Sequence, residues 1–243
     1  MRAIVGVDVG GTFTDVAVIA GGRLVTAKVP TTPSDHSLGV IEGVRLALAD
    51  GAVAAADVAH FGHGTTVATN AMLERRGART AFVATRGFGD IPALGRQARP
   101  HLYRPDVAPP APLAEIAVEV DERMGPGGVL RPLQAGSVAA AERRLRRERV
   151  EAVAVCLLHA YADPVHEREV ADRLRAALPG VHVVASHEVA AEFREFERAS
   201  TTIADAYLGP VTGGYLQPMT VLWPERWKLA HLAPRERVRF IAQ

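Results

Sequence analysis

The 243-residue sequence holds one cysteine, Cys156, which excludes an intrachain disulfide framework and a cysteine-rich zinc site and predicts a reducing, cytoplasmic setting. An excess of either charge is also missing, since 28 Lys and Arg stand against 27 Asp and Glu, a formal +1. That balance gives no basic footprint for nucleic acid and no polybasic anchor for a membrane. No stretch approaches the roughly 20 unbroken apolar residues of a membrane span, because Arg, Glu, Asp or His interrupts every one. The apolar start, Ile4 to Val7, is cut by Asp8, is shorter than a signal-peptide core and carries no small-residue cleavage site. There is no repeat of solenoid period and no low-complexity tract. The expectation is a soluble protein that uses neither nucleic acid nor membrane as partner. What is present is a globular balance, with 48% AVILMFWYC residues and 23% charged residues. Disorder, coiled coil and collagen-like structure are thereby disfavoured, and the length allows one large domain or two modest ones.

Ile4 to Val9 is an apolar run closed by Gly10-Gly11, Phe13 to Ile19 resumes it, and Gly21-Gly22 turns the chain into Arg23 to Val29. This predicts three strands joined by hairpins. Helical spacing follows over Asp35 to Ala49, with Leu38, Ile41, Val44, Leu46 and Leu48 as its apolar positions and Ser34 or Asp35 as cap. A strand over Val58 to Phe61, a helix over Thr66 to Arg76 and a strand over Thr80 to Ala84 complete an α/β pattern. Five prolines between Arg99 and Pro112 forbid a helix or central strand there and mark a loop or junction. A hairpin is expected around Ile116 to Leu133, then a helix over Ser137 to Glu148, a strand over Ala152 to Leu158, a helix over Pro164 to Ala177 and a strand over Val181 to Ala185. The arginine-rich run from Glu142 to Arg149 reads as the solvated face of that first helix, because Val138, Ala141 and Leu145 give it an inward stripe. The organisation expected is a first lobe over 1–98, a proline-rich junction and hairpin over 99–133, a second α/β portion over 134–208, and an irregular tail over 209–243.

The chemistry concentrates in Asp8-Val9-Gly10-Gly11-Thr12-Phe13-Thr14-Asp15. Two adjacent glycines let the backbone approach a ligand, and Thr12 and Thr14 add hydroxyl donors, so Gly10, Gly11, Thr12 and Thr14 are candidate phosphate-binding residues. Asp8 closes one strand and Asp15 opens the next. A carboxylate is thus available to hold Mg²⁺ through water beside the phosphates, with Asp8 the candidate metal residue. The spacing is neither a dinucleotide fingerprint nor a P-loop; an ordinary Gly-Gly turn with solvated ends is the alternative. A second candidate segment, Gly62-His63-Gly64-Thr65-Thr66-Val67-Ala68-Thr69-Asn70, follows a strand and opens a helix, with Gly64, Thr65, Thr66 and Asn70 as its binding candidates. Read from physics alone, Thr65 or Thr66 could equally be an N-cap and His63 a turn histidine. Cys156, inside an apolar strand, is expected to be a core thiol. His159, Tyr161 and His166 are explained by capping and packing, and Glu195, Glu197 and Arg198 by ion pairs on a helix surface.

At the first strand pair of an α/β chain, the hairpin string resembles the first phosphate motif of the ATPase superfamily that contains actin, sugar kinases and heat-shock chaperones. The three antiparallel strands and following helix resemble its ribonuclease-H-like fold. Gly64 to Ala71, Glu74 to Ala81, Thr85 to Asp90, Gly95-Arg96-Gln97 and Arg99 to Tyr103 are similar to the amino-terminal domain of the hydantoinase A and 5-oxoprolinase family. Ala152 to Tyr161, Ser186 to Val189 and Phe193 to Thr202 continue that similarity, which runs from Val5 to about Pro210. The resemblance implies an α/β protein with a ribonuclease-H-like lobe and ATP-dependent opening of cyclic amides such as hydantoins or 5-oxoproline, in which phosphorylation of the amide oxygen makes an unreactive lactam a better electrophile. Related members are subunits of ATP-dependent ketone carboxylases. Both chemistries need cations around the transferring phosphoryl group, for which Arg86, Arg96 and Arg99 are candidates. Asp8, Asp15 and Arg86 are the residues expected to act in catalysis. The superfamily grips ATP between two lobes, the second carrying an Asp-x-Gly-Gly loop, whereas Gly213-Gly214 has Val211 in the Asp position. The chain is therefore expected to act with a partner chain or second lobe, the other reading being a non-catalytic ATP-fold remnant.

Overall fold

The structure, a computed structural model, describes residues 2–32, 35–97 and 111–221. Among the described residues two compact units emerge, one formed by the chain up to Glu74 with Thr212–Val221, the other by Arg75–Val211. Among the described residues no helix is long and apolar enough to cross a membrane.

The first unit is built on β1 (Ala3–Val9), β2 (Phe13–Ala20), β3 (Arg23–Pro30) and β4 (Val58–Thr65), in sheet order β3-β2-β1-β4. The first three are antiparallel neighbours and β4 runs parallel to β1, which is the ribonuclease-H-like opening expected. Alternation assigns the faces. Val5, Val7, Val9, Val16 and Val18 point to one side and are buried with Val40, Val44, Ala47 and Leu48 of α1 (His36–Asp50). Asp35 caps that helix, its carboxylate accepting the Ser37 N–H at 2.9 Å. The inward stripe runs through Gly39 and Gly43, out of phase with the Leu38 and Leu46 expected there, both of which are exposed. A Cβ at Gly43 would come within 2.8 Å of the Val16 side chain, so glycine is what lets α1 lie close on the sheet. The opposite face, carrying Ile4, Phe13, Ile19 and Leu24, is exposed. The short α2 (Val67–Leu73) follows β4.

The second unit is an all-parallel sheet of β5 (Thr80–Thr85), β6 (Ile116–Val120), β9 (Ala152–Cys156) and β10 (His182–Ala185), in order β10-β9-β5-β6. The first lobe read over 1–98 therefore ends earlier: β5 hydrogen-bonds into this sheet, between β6 and β9. Ile116 to Leu133 is likewise not one hairpin, because β6 joins the sheet and only β7 (Arg123–Gly125) and β8 (Gly128–Arg131) pair with each other. Every residue of β5 and β9 is buried, as a parallel sheet covered on both faces requires. One face packs on α4 (Ala135–Glu148) and α5 (Val165–Ala177), the other on Ala199, Ile203 and Ala206 of α7 (Glu195–Val221). Short helices α3 (Ile91–Leu94) and α6 (Ser186–Val189) complete the unit. The tail read as irregular from 209 is helical to Val221, continuing without a break the helix whose Ala199, Ile203 and Ala206 pack on the sheet. Both tryptophans lie outside the described residues, as do Arg99 and most of the proline-rich stretch.

Candidate functional site

The candidate site grows from register in the first unit. Asp8 lies opposite Asp15 on β2 and opposite Gly64 on β4, and Asp15 lies opposite Lys28 on β3. Residues directly opposite across a ladder share a face, so Lys28, Asp15, Asp8 and Gly64 form one row on the exposed side, just below the turn at Gly10 to Thr12. Parallel pairing brings the carboxyl ends of β1 and β4 to the same edge, where α2 begins.

The Asp8 carboxylate makes no hydrogen bond or ion pair among the described residues. It acts on His63, whose imidazole burial lowers below the ordinary value while the Asp8 charge raises it in part. A Cβ at Gly64 would stand 3.3 Å from Asp8 Oδ1, and one at Gly11 would meet nothing within 4 Å. A free carboxylate thus faces open space with bare backbone beside it. Asp15 differs, because Lys28 Nζ sits 2.8 Å and 3.1 Å from its two carboxylate oxygens.

The turn divides its labour. The Gly10 N–H donates to the Phe13 carbonyl at 3.0 Å, closing the hairpin, whereas the N–H groups of Gly11 and Thr12 donate to nothing among the described residues. Thr14 is not a ligand donor: it is fully buried and its hydroxyl lies 3.1 Å from that of Thr31, which in turn donates to the Gly10 carbonyl at 2.9 Å. Strand alternation places Thr14 on the face opposite Asp8 and Asp15, so it pins the loop from beneath. The second segment is also internally bonded: Thr65 Oγ1 accepts the Val67 N–H at 3.2 Å and Asn70 donates to Thr66 Oγ1 at 3.4 Å. Thr65, Thr66 and Asn70 therefore build the start of α2, and Gly64 is the member that borders Asp8. His63 belongs to β4 rather than to a turn.

Arg86 belongs to the second unit, where it pairs with Asp121 at 2.8 Å, a carboxylate shared with Arg131 at 2.9 Å. Arg96 pairs with Glu197 at 2.8 Å.

The hydantoinase/oxoprolinase N-terminal region, as a family, matches this sequence over residues 4–178. The chain belongs to that family. The alpha subunit of the caprolactamase of Pseudomonas jessenii is 34% identical over 90% of this chain and 33% of its own length. A crystal structure of the ATP-dependent caprolactamase from that organism superposes with a TM-score of 0.79, at 32% identity over 90% of this chain and 33% of that one. The 5-oxoprolinase 1 of Arabidopsis thaliana is 32% identical over 86% of this chain and 19% of its own length. A nucleotide-free structure of acetone carboxylase, from work on ATP-dependent acetone carboxylation, gives a TM-score of 0.79 at 25% identity, over 90% of this chain and 34% of that one. The chain spans about a third or less of the length of these relatives.

The hydantoinase/oxoprolinase chain holds a further set of buried polar groups that the sequence did not single out, apart from His166, which was expected to be explained by capping and packing. Glu122 and Glu167 are each 1% exposed. Glu122 accepts from the Thr85 hydroxyl and lies 2.8 Å from His166 Nδ1. Glu167 accepts the N–H groups of Leu157 at 2.7 Å and His187 at 2.8 Å, accepts the Ser186 hydroxyl, and lies 2.8 Å from His187 Nδ1. These groups tie the carboxyl ends of β5, β9 and β10 to α5. Arg198, expected on a helix surface, is 1% exposed and donates to the carbonyls of Leu157 at 2.6 Å and Glu192 at 3.0 Å, because it shares the inward face of α7 with Thr202. Cys156 is a core thiol as expected, pushed up to about 11 by burial.

Proposed function

We propose that this chain is the nucleotide-phosphate-binding part of an ATP-dependent enzyme that opens cyclic amides, with Mg²⁺ held at Asp8. The observation that supports it most is the Asp8 carboxylate on the exposed sheet face, without a hydrogen-bond or ion-pair partner among the described residues, between a turn whose Gly11 and Thr12 N–H groups likewise donate to none of them and a glycine that leaves room beside it. Among the described residues no three metal-ligating side chains cluster, which suits a cation bound through one carboxylate, water and substrate phosphates rather than through a protein cage. Gly11 and Thr12 would donate to phosphate oxygens, Gly10 would hold the turn in shape, and Thr65, Thr66 and Asn70 would fix the start of α2 alongside Gly64. ATP supplies the phosphoryl group that activates the amide oxygen; the chain's own part is to orient the phosphates and neutralise their charge.

Further polypeptide, as a partner chain or a second lobe, would close the nucleotide from the other side, consistent with relatives at least about three times longer. In the open unit, water screens every contact, so nucleotide binding alone should be weak and salt-dependent. A cytoplasmic location fits a single buried cysteine. A second reading, a subunit of an ATP-dependent ketone carboxylase, is favoured by the superposition on acetone carboxylase and uses the same phosphate site. Hydrolysis assays with a cyclic amide, or with acetone and bicarbonate, separate the two.

Gly11→Val tests the site itself. Its branched side chain enters space that no protein atom occupies, so the fold should survive while MgATP binding is abolished. Asp8→Asn should weaken Mg²⁺-dependent binding more than metal-free binding, and an equal loss with and without Mg²⁺ contradicts the assigned role. A lone chain that hydrolyses ATP at an ordinary rate of about ten per second when given hydantoin or 5-oxoproline would overturn the need for further polypeptide.

A further inference from the structure

The geometry points to Lys28 as a phosphate-binding residue of the hairpin site, with Asp15 as the positioning residue that holds its ammonium group ready. This inference rests on the proposed nucleotide site and names a part of it that the hairpin motif does not contain.

Register places Lys28 in the row of Asp15 and Asp8, on the exposed face and one step from the turn. Its ammonium contacts both oxygens of Asp15 and lies 5.0 Å from the centre of the Phe13 ring, the first residue of β2 after the turn. The side chain therefore extends along β2 toward Gly11 and Thr12. Asp8 and Asp15 face each other across the ladder, and two like charges there repel. Lys28 neutralises Asp15 and leaves Asp8 as the one unpaired carboxylate of the row.

The residue type is itself informative. The chain has two lysines, Lys28 and Lys228, so the remaining 26 of its 28 basic residues are arginine. Apart from the two histidine–glutamate pairs, the other described ion pairs use arginine, from Arg45 with Glu42 to Arg175 with Glu188. If the Asp15 pair existed only to decorate the surface, arginine would serve. A lysine supplies a compact, freely rotating charge that can turn from one anion to another, where a guanidinium fork is committed to a planar partner. The exchange is also energetically open. Lys28 and Asp15 are 59% and 53% exposed, and a pair so open to water contributes little, less than an ammonium gains from a multiply charged phosphate.

The test is equilibrium binding of MgATP, magnesium pyrophosphate and adenosine to the full chain and to Lys28→Met, Lys28→Arg, Asp15→Asn and Gly11→Val. Lys28→Met should weaken ATP and pyrophosphate by about 10- to 100-fold, the range of a hydrogen bond to a charged group, and leave adenosine unchanged. Asp15→Asn should give a smaller loss in the same two ligands, and Lys28→Arg should restore part of the affinity. With only two lysines, the Lys28 side-chain carbon resonance is readily assigned by NMR and should shift when pyrophosphate is added. If Lys28→Met binds ATP and pyrophosphate like the unaltered chain while Gly11→Val does not, Lys28 is a surface ion pair and this inference falls alone. If Gly11→Val also binds normally, the hairpin is not the phosphate site and both readings fall together.

Discussion

The first unit leaves the Asp8 carboxylate outward on an exposed sheet face, whereas the second unit covers both faces of its sheet and folds Glu122 and Glu167 inside. The carboxylates differ less in chemistry than in company. Glu167 meets four donor groups from two segments, and Glu122 meets a hydroxyl and an imidazole. A buried charge persists only when its oxygens are satisfied in this way. Asp8 has no such company among the described residues and no burial to demand it. Satisfied carboxylates hold a fold together; an unsatisfied one on an open face is available to something that arrives.

The sharpest way to break this contrast is to remove the satisfied acid. Glu167→Ala strands the Leu157 and His187 N–H groups and the Ser186 hydroxyl in a dry interior. Breaking a buried pair in this way costs about 3–5 kcal/mol. Chemical denaturation should show a loss of that size, and a loss below about 1 kcal/mol would mean that the network is not what anchors α5 to the sheet. Asp8→Ala, by the same measurement, should change stability little.

A smaller effect is expected from Gly43→Ala, which sets a methyl group 2.8 Å from Val16 Cγ2. Overpacking of this kind costs about 1–3 kcal/mol, and a thermal midpoint equal to that of the unaltered chain would show that α1 can ride outward freely.

Gly43 also shows where the sequence was legible and where it was not. The three hairpin strands, α4, α5 and their apolar stripes stand within a few residues of where periodicity put them, because each buries one clear face. The face of α1 was legible only in part: Val44 and Leu48 are buried as expected, but Ser37, Gly39, Gly43 and Ala47 also face inward, small residues that carry little hydrophobic signal, while Leu38 and Leu46 face out. β5 was assigned to the first lobe since nothing local says which sheet a buried apolar strand will join. The hairpin site was readable from Asp8 and Gly11, but Thr14 changes sides once strand alternation is applied, and Lys28 lies 13 residues beyond Asp15, visible only when β3 is laid beside β2. Glu122 and Glu167 gave no signal, since an acid in a polar stretch reads as solvent-facing until its donors are brought to it.

Cys156 offers a milder probe of the closed unit. Burial pushes its thiol up to about 11, against about 8.5 for a free cysteine. A folded-state value raised in this way means stability that is full below the unfolded value and declines as pH rises from about 8.5 toward 11. Alkylation by iodoacetamide at pH 8 should be slow in the native chain and fast in urea. Equal rates would show that the closed sheet opens readily.

The smallest effect sharpens the open unit. Burial lowers the His63 imidazole below its ordinary value near 6.5 and the Asp8 charge offsets part of that shift. A depressed value means that the folded state favours the neutral ring. The stability this contributes is full above about 6.5 and falls as pH drops toward the folded value, because the unfolded chain then binds the proton more readily. Asp8→Asn removes a charge that favours the protonated ring, so His63 should titrate lower still, and the window in which acid destabilises the first unit should extend further down. The change is small, since Asp8 is exposed and water screens it. Imidazole resonances followed by NMR across pH 4 to 8 would resolve it. A His63 titration unmoved by Asp8→Asn would mean that the carboxylate points away from β4, and the free acid beside Gly64 would lose its place at the centre of the site.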